Sequence, residues 1–141
     1  MKLFIAMMAI AVPFLFTACT ETAIEIQASE LCCKYWAYES EADAEFKGKI
    51  LIVAGEVGLL DVNNLGEHYA RLECHCDFLT IQELRGDGIS CMFDESNVDD
   101  WLALREGQYV QIKGNCNGCA MNLFGKGEPG NIILLDCQVI R

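Results

Sequence analysis

Residues 70–78 read ARLECHCDF, and apolar and polar side chains alternate along them without a break. Leu72, Cys74, Cys76 and Phe78 point one way, while Arg71, Glu73, His75 and Asp77 point the other. A repeat of two is the geometry of a strand covered on one side only, so the segment predicts a half-buried strand with its cysteines on the apolar face. The rest of the chain must therefore supply a core against that face.

The same period recurs. Leu51, Val53, Gly55 and Val57 alternate with Ile50, Ile52, Ala54 and Glu56, apolar enough on both sides to be a largely covered strand. After the turn signal RGDG, Ile89, Cys91 and Phe93 alternate again. Val110 and Ile112 open a fourth strand that ends in GNCNGC, residues 114–119, and Ile133, Leu135, Cys137 and Val139 share one face of a fifth. Two stretches have the helical period instead. Ser29 is placed as an N-cap before Leu31, Tyr35, Tyr38 and Ala42, which predicts one helix running to about Glu45 and closed by Phe46. Ser96 or Asn97 caps a short helix with Asp99 and Asp100 in its first turn and Gly107 as its stop.

Compartment comes from the first residues. Lys2 precedes an apolar run over residues 3–16 and then LFTAC, the layout of an export signal. The run is shorter than the roughly 20 residues a spanning helix needs. LFTAC also resembles a bacterial lipobox, which implies that residues 1–18 are removed and that Cys19 carries the acyl chains. Thr20 follows it, and no aspartate is there to signal inner-membrane retention, which favours the outer membrane. The expected organisation is a signal peptide over 1–18, a tether over 19–28 with no core pattern, and one domain over 29–141. The location is the bacterial cell envelope, with the membrane as first partner through Cys19.

Of the nine cysteines, Cys19 goes to lipid and eight remain in an oxidising compartment: Cys32, Cys33, Cys74, Cys76, Cys91, Cys116, Cys119 and Cys137. All eight are disulfide candidates, and too many pairings exist for spacing to choose among them. Without Lys2, nine basic residues face 21 acidic ones, a formal charge of −12. Phosphate backbones are held by basic patches, so nucleic acid is not an expected partner.

A helix, three strands, a short helix and two strands is the order of an all-β fold with minor α, a five-stranded OB-fold barrel. In that order the third strand lies beside the fifth, which makes Cys91 and Cys137 plausible partners. Cys32 or Cys33 would tie the N-terminal helix to the barrel, with the GNCNGC hairpin as one candidate partner. The runs WAYESEADAEFKGKILIVAGEV, GISCMF, LALREGQYVQIKGNCNG and IILLDCQVI together resemble the tRNA-anticodon-like OB-fold family over residues 31–140. That resemblance implies the barrel and a binding role, with no catalytic residue. Bacterial members of the family are often small exported lipoproteins.

OB folds that bind single strands place basic and aromatic side chains on their second and third strands. The outward face read here, Arg71, Glu73, His75 and Asp77, has mixed charge and no aromatic. A zinc site from Cys74, Cys76, Cys116 and Cys119 has the right ligand type and number, but an exported chain meets oxidant first. Thiol catalysis by the CxxC pair would need a helix N-terminus after it, and CNGCAMNLFGKG has turn formers instead. No elbow, P-loop or zincin motif is present.

The expectation is thus a non-catalytic, lipid-anchored module that binds an envelope protein or glycan, with no metal and no cofactor. A zinc- or thiol-dependent envelope enzyme using CHC and CNGC is the first alternative, and single-stranded nucleic-acid binding the second. The loops over 61–68 and 117–131 border the usual OB binding face. In the second, Met121, Leu123 and Phe124 are binding-loop candidates that either tuck into the barrel end or mark a contact surface.

Overall fold

The computed structural model describes residues 21–76, 88–120 and 131–141. Its first element lies inside the expected tether. Ile24–Gln27 forms a strand, β1, whose residues pair in parallel with Leu51 to Ala54. Ile24 and Ile26 alternate with Glu25 and Gln27, and Ile26 is buried against the domain. The segment is therefore part of the fold and not a spacer.

The N-terminal helix is two helices. Helix α1 spans Ala28–Ala37 and α2 spans Glu39–Phe46, separated by Tyr38 in an extended conformation (φ −149°, ψ 82°). Leu31, Tyr35 and Ala42 are buried as the period predicts, but Tyr38 is 68% exposed because the break swings it outward. The break re-aims α2 so that Ala42 and Phe46 close on one end of the barrel, with the Tyr35 and Phe46 rings 6.3 Å apart. Gln27, and not Ser29, stands at the N-cap. The Ser29 hydroxyl instead accepts from the His75 amide at 3.1 Å.

The barrel consists of β2 (Ile50–Val62), β3 (His68–Leu72), β4 (Ile89–Phe93), β5 (Tyr109–Cys119) and β6 (Ile132–Ile140). Its closed order is β2-β3-β4-β6-β5 and back to β2, with β4 and β6 parallel and the other barrel pairs antiparallel. That is the five-stranded OB barrel. The 13-residue β2 serves three neighbours: its first half holds β1 on one edge and β5 on the other, and its second half pairs with β3 after a bulge between Val57 and Leu59. Gly55 lets α1 approach, since a Cβ there would lie 2.7 Å from that of Ala28.

Inside, Leu51, Val53 and Val57 meet Leu72, Ile89, Ile112, Ile132 and Leu134, all fully buried. Two faces differ from the sequence reading. Strand β3 starts at His68 and stops at Leu72, so Cys74 and Cys76 leave the sheet. In β6 the inward residues are Ile132, Leu134 and Cys137, while Leu135 is exposed. Asp136 takes a positive φ of 53°, a bulge that shifts the alternation by one position before Cys137. The fourth strand ends in GNCNGC as read, at Cys119, so Asn117 to Cys119 belong to β5 and not to the loop expected over 117–131.

A 3-10 turn (Glu95–Asn97) and helix α3 (Val98–Leu102) follow β4. Asn97 stands at the N-cap of α3, one of the two residues read for it, and Asp94 caps the 3-10 turn: its carboxylate accepts from the Asn97 amide at 3.2 Å and from the Ser96 hydroxyl at 2.6 Å. Trp101 fixes this corner by donating its indole N–H to the Tyr69 carbonyl at 2.9 Å.

Candidate functional site

The cysteine clusters are the first place to look for chemistry. Cys32 on α1 is bonded to Cys74, and Cys33 to Cys76, with Cα separations of 6.1 and 5.6 Å. Adjacent cysteines thus take partners two residues apart, as they must when a helix turn faces an extended segment. The segment after β3 is drawn off the sheet to lie along α1, where the His75 amide meets Ser29. The GNCNGC cysteines are not the partners of the helix. Both CHC sulfurs are consumed, so neither offers the thiolate that a zinc site or a redox pair would require. His75 between them is largely exposed, with its ring 3.8 Å from the Glu73 carboxylate.

Cys116 is buried in a polar knot under α1 and α2. The Tyr35 hydroxyl donates to the Asp43 carboxylate at 3.0 Å and lies 3.6 Å from the Cys116 sulfur. A hydroxyl has one proton, so with Asp43 taking it the thiol is the donor to the Tyr35 oxygen. Burial first, and then the hydrogen bonds and charges of Cys116 and Asp43, push the Tyr35 hydroxyl well above the usual tyrosine range. Tyr35 keeps its proton, and the knot serves as a satisfied structural contact beneath the helices. Cys91 is pushed well above the ordinary thiol value by its hydrogen bond to Cys137 and by burial, the opposite of an activated nucleophile. Among the described residues, no group of three or more His, Cys, Asp and Glu side chains is arranged to hold a metal ion.

The remaining candidates are concavities. One of about 570 Å³ lies between α3 and the β5–β6 edge, lined by Asp100, Tyr109 and Arg141 among others. Its polar groups already have partners: Asp100 accepts from the Val139 amide at 2.9 Å and lies 3.5 Å from Arg141, and Tyr109 donates to Gln27 at 2.6 Å. A second, of about 420 Å³, runs across the outer face of β3, β4 and β6.

This second cleft follows from strand register. Tyr69 pairs with Met92 and Arg71 with Ser90, and Ser90 pairs in turn with Ile133. These side chains form a continuous outer surface, with Asn63 and Glu67 at one rim and Asn117, Ala120 and Asn131 at the other. The Asn63 rim is rigid: its side-chain oxygen accepts from the Leu65 and Glu67 amides, both at 2.9 Å, which leaves its NH2 group facing out and Leu65 82% exposed at the tip. On the other rim the Asn131 side-chain oxygen is shut off from solvent and has no donor among the described residues.

The sequence reading had placed the binding face between loops 61–68 and 117–131, and the cleft lies there. It missed Tyr69, however, because it began the strand one residue later and found no aromatic on the outer face. The signal was present in HYARL, where Tyr69 and Arg71 already alternate with Ala70 and Leu72. Cys19, Asp77, Phe78, the first three residues of RGDG, and the loop candidates Met121, Leu123 and Phe124 lie outside the described residues.

Comparison with solved structures finds the same architecture. A candidate nucleic acid-binding lipoprotein from Klebsiella pneumoniae subsp. pneumoniae superposes with a TM-score of 0.57 at 14% identity, covering 84% of this chain and 92% of that one. An OBody bound to hen egg-white lysozyme gives 0.45 at 14% identity, over 69% of this chain and 86% of the other. The S. pombe Stn1–Ten1 complex gives 0.38 at 16%, over 65% and 58%. At such identities the likeness is one of fold. No curated protein sequence matches the chain. The family model described as tRNA_anti-like matches residues 6–125, most of the length, and with the closed five-stranded barrel beneath that match the chain belongs to the tRNA_anti-like family of OB folds.

Proposed function

We propose that this protein is a lipid-anchored binding module of the bacterial envelope, non-catalytic, which takes an uncharged glycan in the cleft across β3, β4 and β6. The observation that carries the reading is the lining. Three asparagines, one serine, Arg71 and Glu67 surround Tyr69, Met92, Ile133 and Leu135. Amides present donors and acceptors to sugar hydroxyls. An aromatic face and aliphatic side chains suit the C–H surface of a sugar ring. The anchor is read from LFTAC, and the lipoprotein among the fold neighbours supports the same placement.

Single-stranded nucleic acid is the second reading, favoured by Tyr69 beside Arg71 and by what that neighbour is described as binding. Against it stands a mature charge of −12. The detergent-solubilised full chain should bind immobilised envelope glycans with little dependence on salt. Tyr69→Ala and Arg71→Ala should each weaken that binding about tenfold, or ~1.4 kcal/mol. Affinity for oligonucleotides that falls steeply with salt would establish the second reading instead. Binding to neither, or binding unchanged in both variants, removes the cleft as the site. For the anchor, Cys19→Ala should move the protein from the membrane to the soluble fraction.

A further inference from the structure

Cys91 and Cys137 lie on the two parallel strands of the barrel and are fully buried. Cys91 is in register with Leu134, and the Cys137 thiol turns back to donate to the Leu134 carbonyl at 3.4 Å. The two thiols are close enough for Cys137 to be the main influence on Cys91. Two backbone features bring the second sulfur there. The positive φ of Asp136 turns Cys137 inward out of phase with the strand, and Gly114 makes room for it, since a Cβ at that position would come within 2.8 Å of the sulfur. A glycine and a bulge therefore serve one contact between two cysteines, in a chain whose helix is already held by two disulfides.

We propose that Cys91 and Cys137 are joined in the mature protein as a third disulfide, a covalent tie across the parallel pair β4–β6. The inference rests on the envelope reading, because an oxidising compartment supplies the co-reactant, a disulfide-bearing thiol oxidoreductase. One thiol loses its proton, and its sulfur attacks a sulfur of the oxidoreductase disulfide to give a mixed disulfide and one released thiolate. The second thiol loses its proton and attacks the chain's sulfur in that mixed disulfide. The bond closes and the oxidoreductase leaves as a dithiol, carrying the electron pair and, once its thiolates are reprotonated, two protons. In the closed barrel Cys91 is both buried and held protonated, so the exchange precedes barrel closure.

Peptide mapping of the full-length exported protein, alkylated in denaturant without reductant, tests the link. The peptides bearing Cys91 and Cys137 should be recovered joined, beside Cys32–Cys74 and Cys33–Cys76, and should take label only after reduction. In Cys91→Ala the number of alkylated thiols should rise by one, with the label on Cys137. This count is made in denaturant and does not depend on the variant's stability. Labelled Cys91 and Cys137 beside intact Cys32–Cys74 would overturn the third link while leaving the envelope reading in place. Label on all of these cysteines would overturn both. Cys91 or Cys137 joined to Cys116 or Cys119 would overturn the pairing.

Discussion

The two sides of the barrel are built on different principles. Under α1 and α2 the Tyr35 hydroxyl bonds Asp43 and Cys116, Phe46 is 1% exposed, and two disulfides fasten the helix to the segment leaving β3. On the face across β3, β4 and β6 the outer side chains are mixed in character and mostly half-exposed, and a buried oxygen on the rim has no donor among the described residues. One side is covered and closed by covalent bonds, while the other is left open. Disulfides on the first side and a fixed strand frame on the second hold the outer side chains of β3, β4 and β6 in a set arrangement.

That contrast can be broken from the covered side with the largest effects. Removing both disulfides, by Cys32→Ala with Cys33→Ala, should cost about 2–5 kcal/mol per bond. A urea midpoint that is the same with and without reductant in the unaltered chain would show that the covered side does not depend on them. Next, Phe46→Ala should cost about 3–5 kcal/mol, since the ring is enclosed between Tyr35 and the barrel end. A loss below about 1 kcal/mol in the same titration would mean that the helices are an appendage.

A smaller effect is tied to pH. In the folded state the Tyr35 hydroxyl stays protonated well above its ordinary value, whereas in the unfolded chain it titrates near about 10. The contribution is therefore complete below pH ~10, and it falls as pH rises past that point, where the unfolded state releases a proton that the folded state retains. Tyr35→Phe should lose about 1 kcal/mol at neutral pH and show a shallower alkaline decline than the parent. Parallel curves for the two proteins would contradict this.

The smallest stability change belongs to the open side. Tyr69→Ala and Arg71→Ala should each stay within about 1 kcal/mol of the parent, since these side chains are half-exposed and the Tyr69 carbonyl that Trp101 needs is untouched. A loss as large as that of Phe46→Ala would show that both sides are core.

Much of the barrel was legible in the sequence because its inward residues alternate plainly. Leu51, Val53 and Val57, then Ile89, Cys91 and Phe93, are buried as read. The last strand was read out of phase because IILLDCQVI is apolar in both phases from 132 to 135, and only the backbone shows the Asp136 bulge. IEIQ was overlooked for a different reason: four alternating residues are too few to stand out, and only the free edge of β2 makes them a strand. The cysteines of CHC were read on the apolar face of a strand; Cys76 is buried and Cys74 packs partly against the core, but both lie off the sheet. Their partners were not legible, because spacing does not reveal that the chain turns off the sheet after Leu72. Tyr69 was lost because the strand was read from Ala70, two residues after its start at His68, and the character of the outer face changed with it.

The placement of β1 also has a mechanical consequence. A membrane anchor and a bound ligand would load this module in tension, with the pull entering at the N-terminus. The four pairs from Ile24 with Leu51 to Gln27 with Ala54 lie along the strand axis, so a pull in that direction strains them together, in shear. Should they yield, only the first turn of α1 remains before the load reaches Cys32 and passes through its sulfur bridge to Cys74. Extension under force would stop there, a few residues into the fold, with the barrel and its open face still assembled.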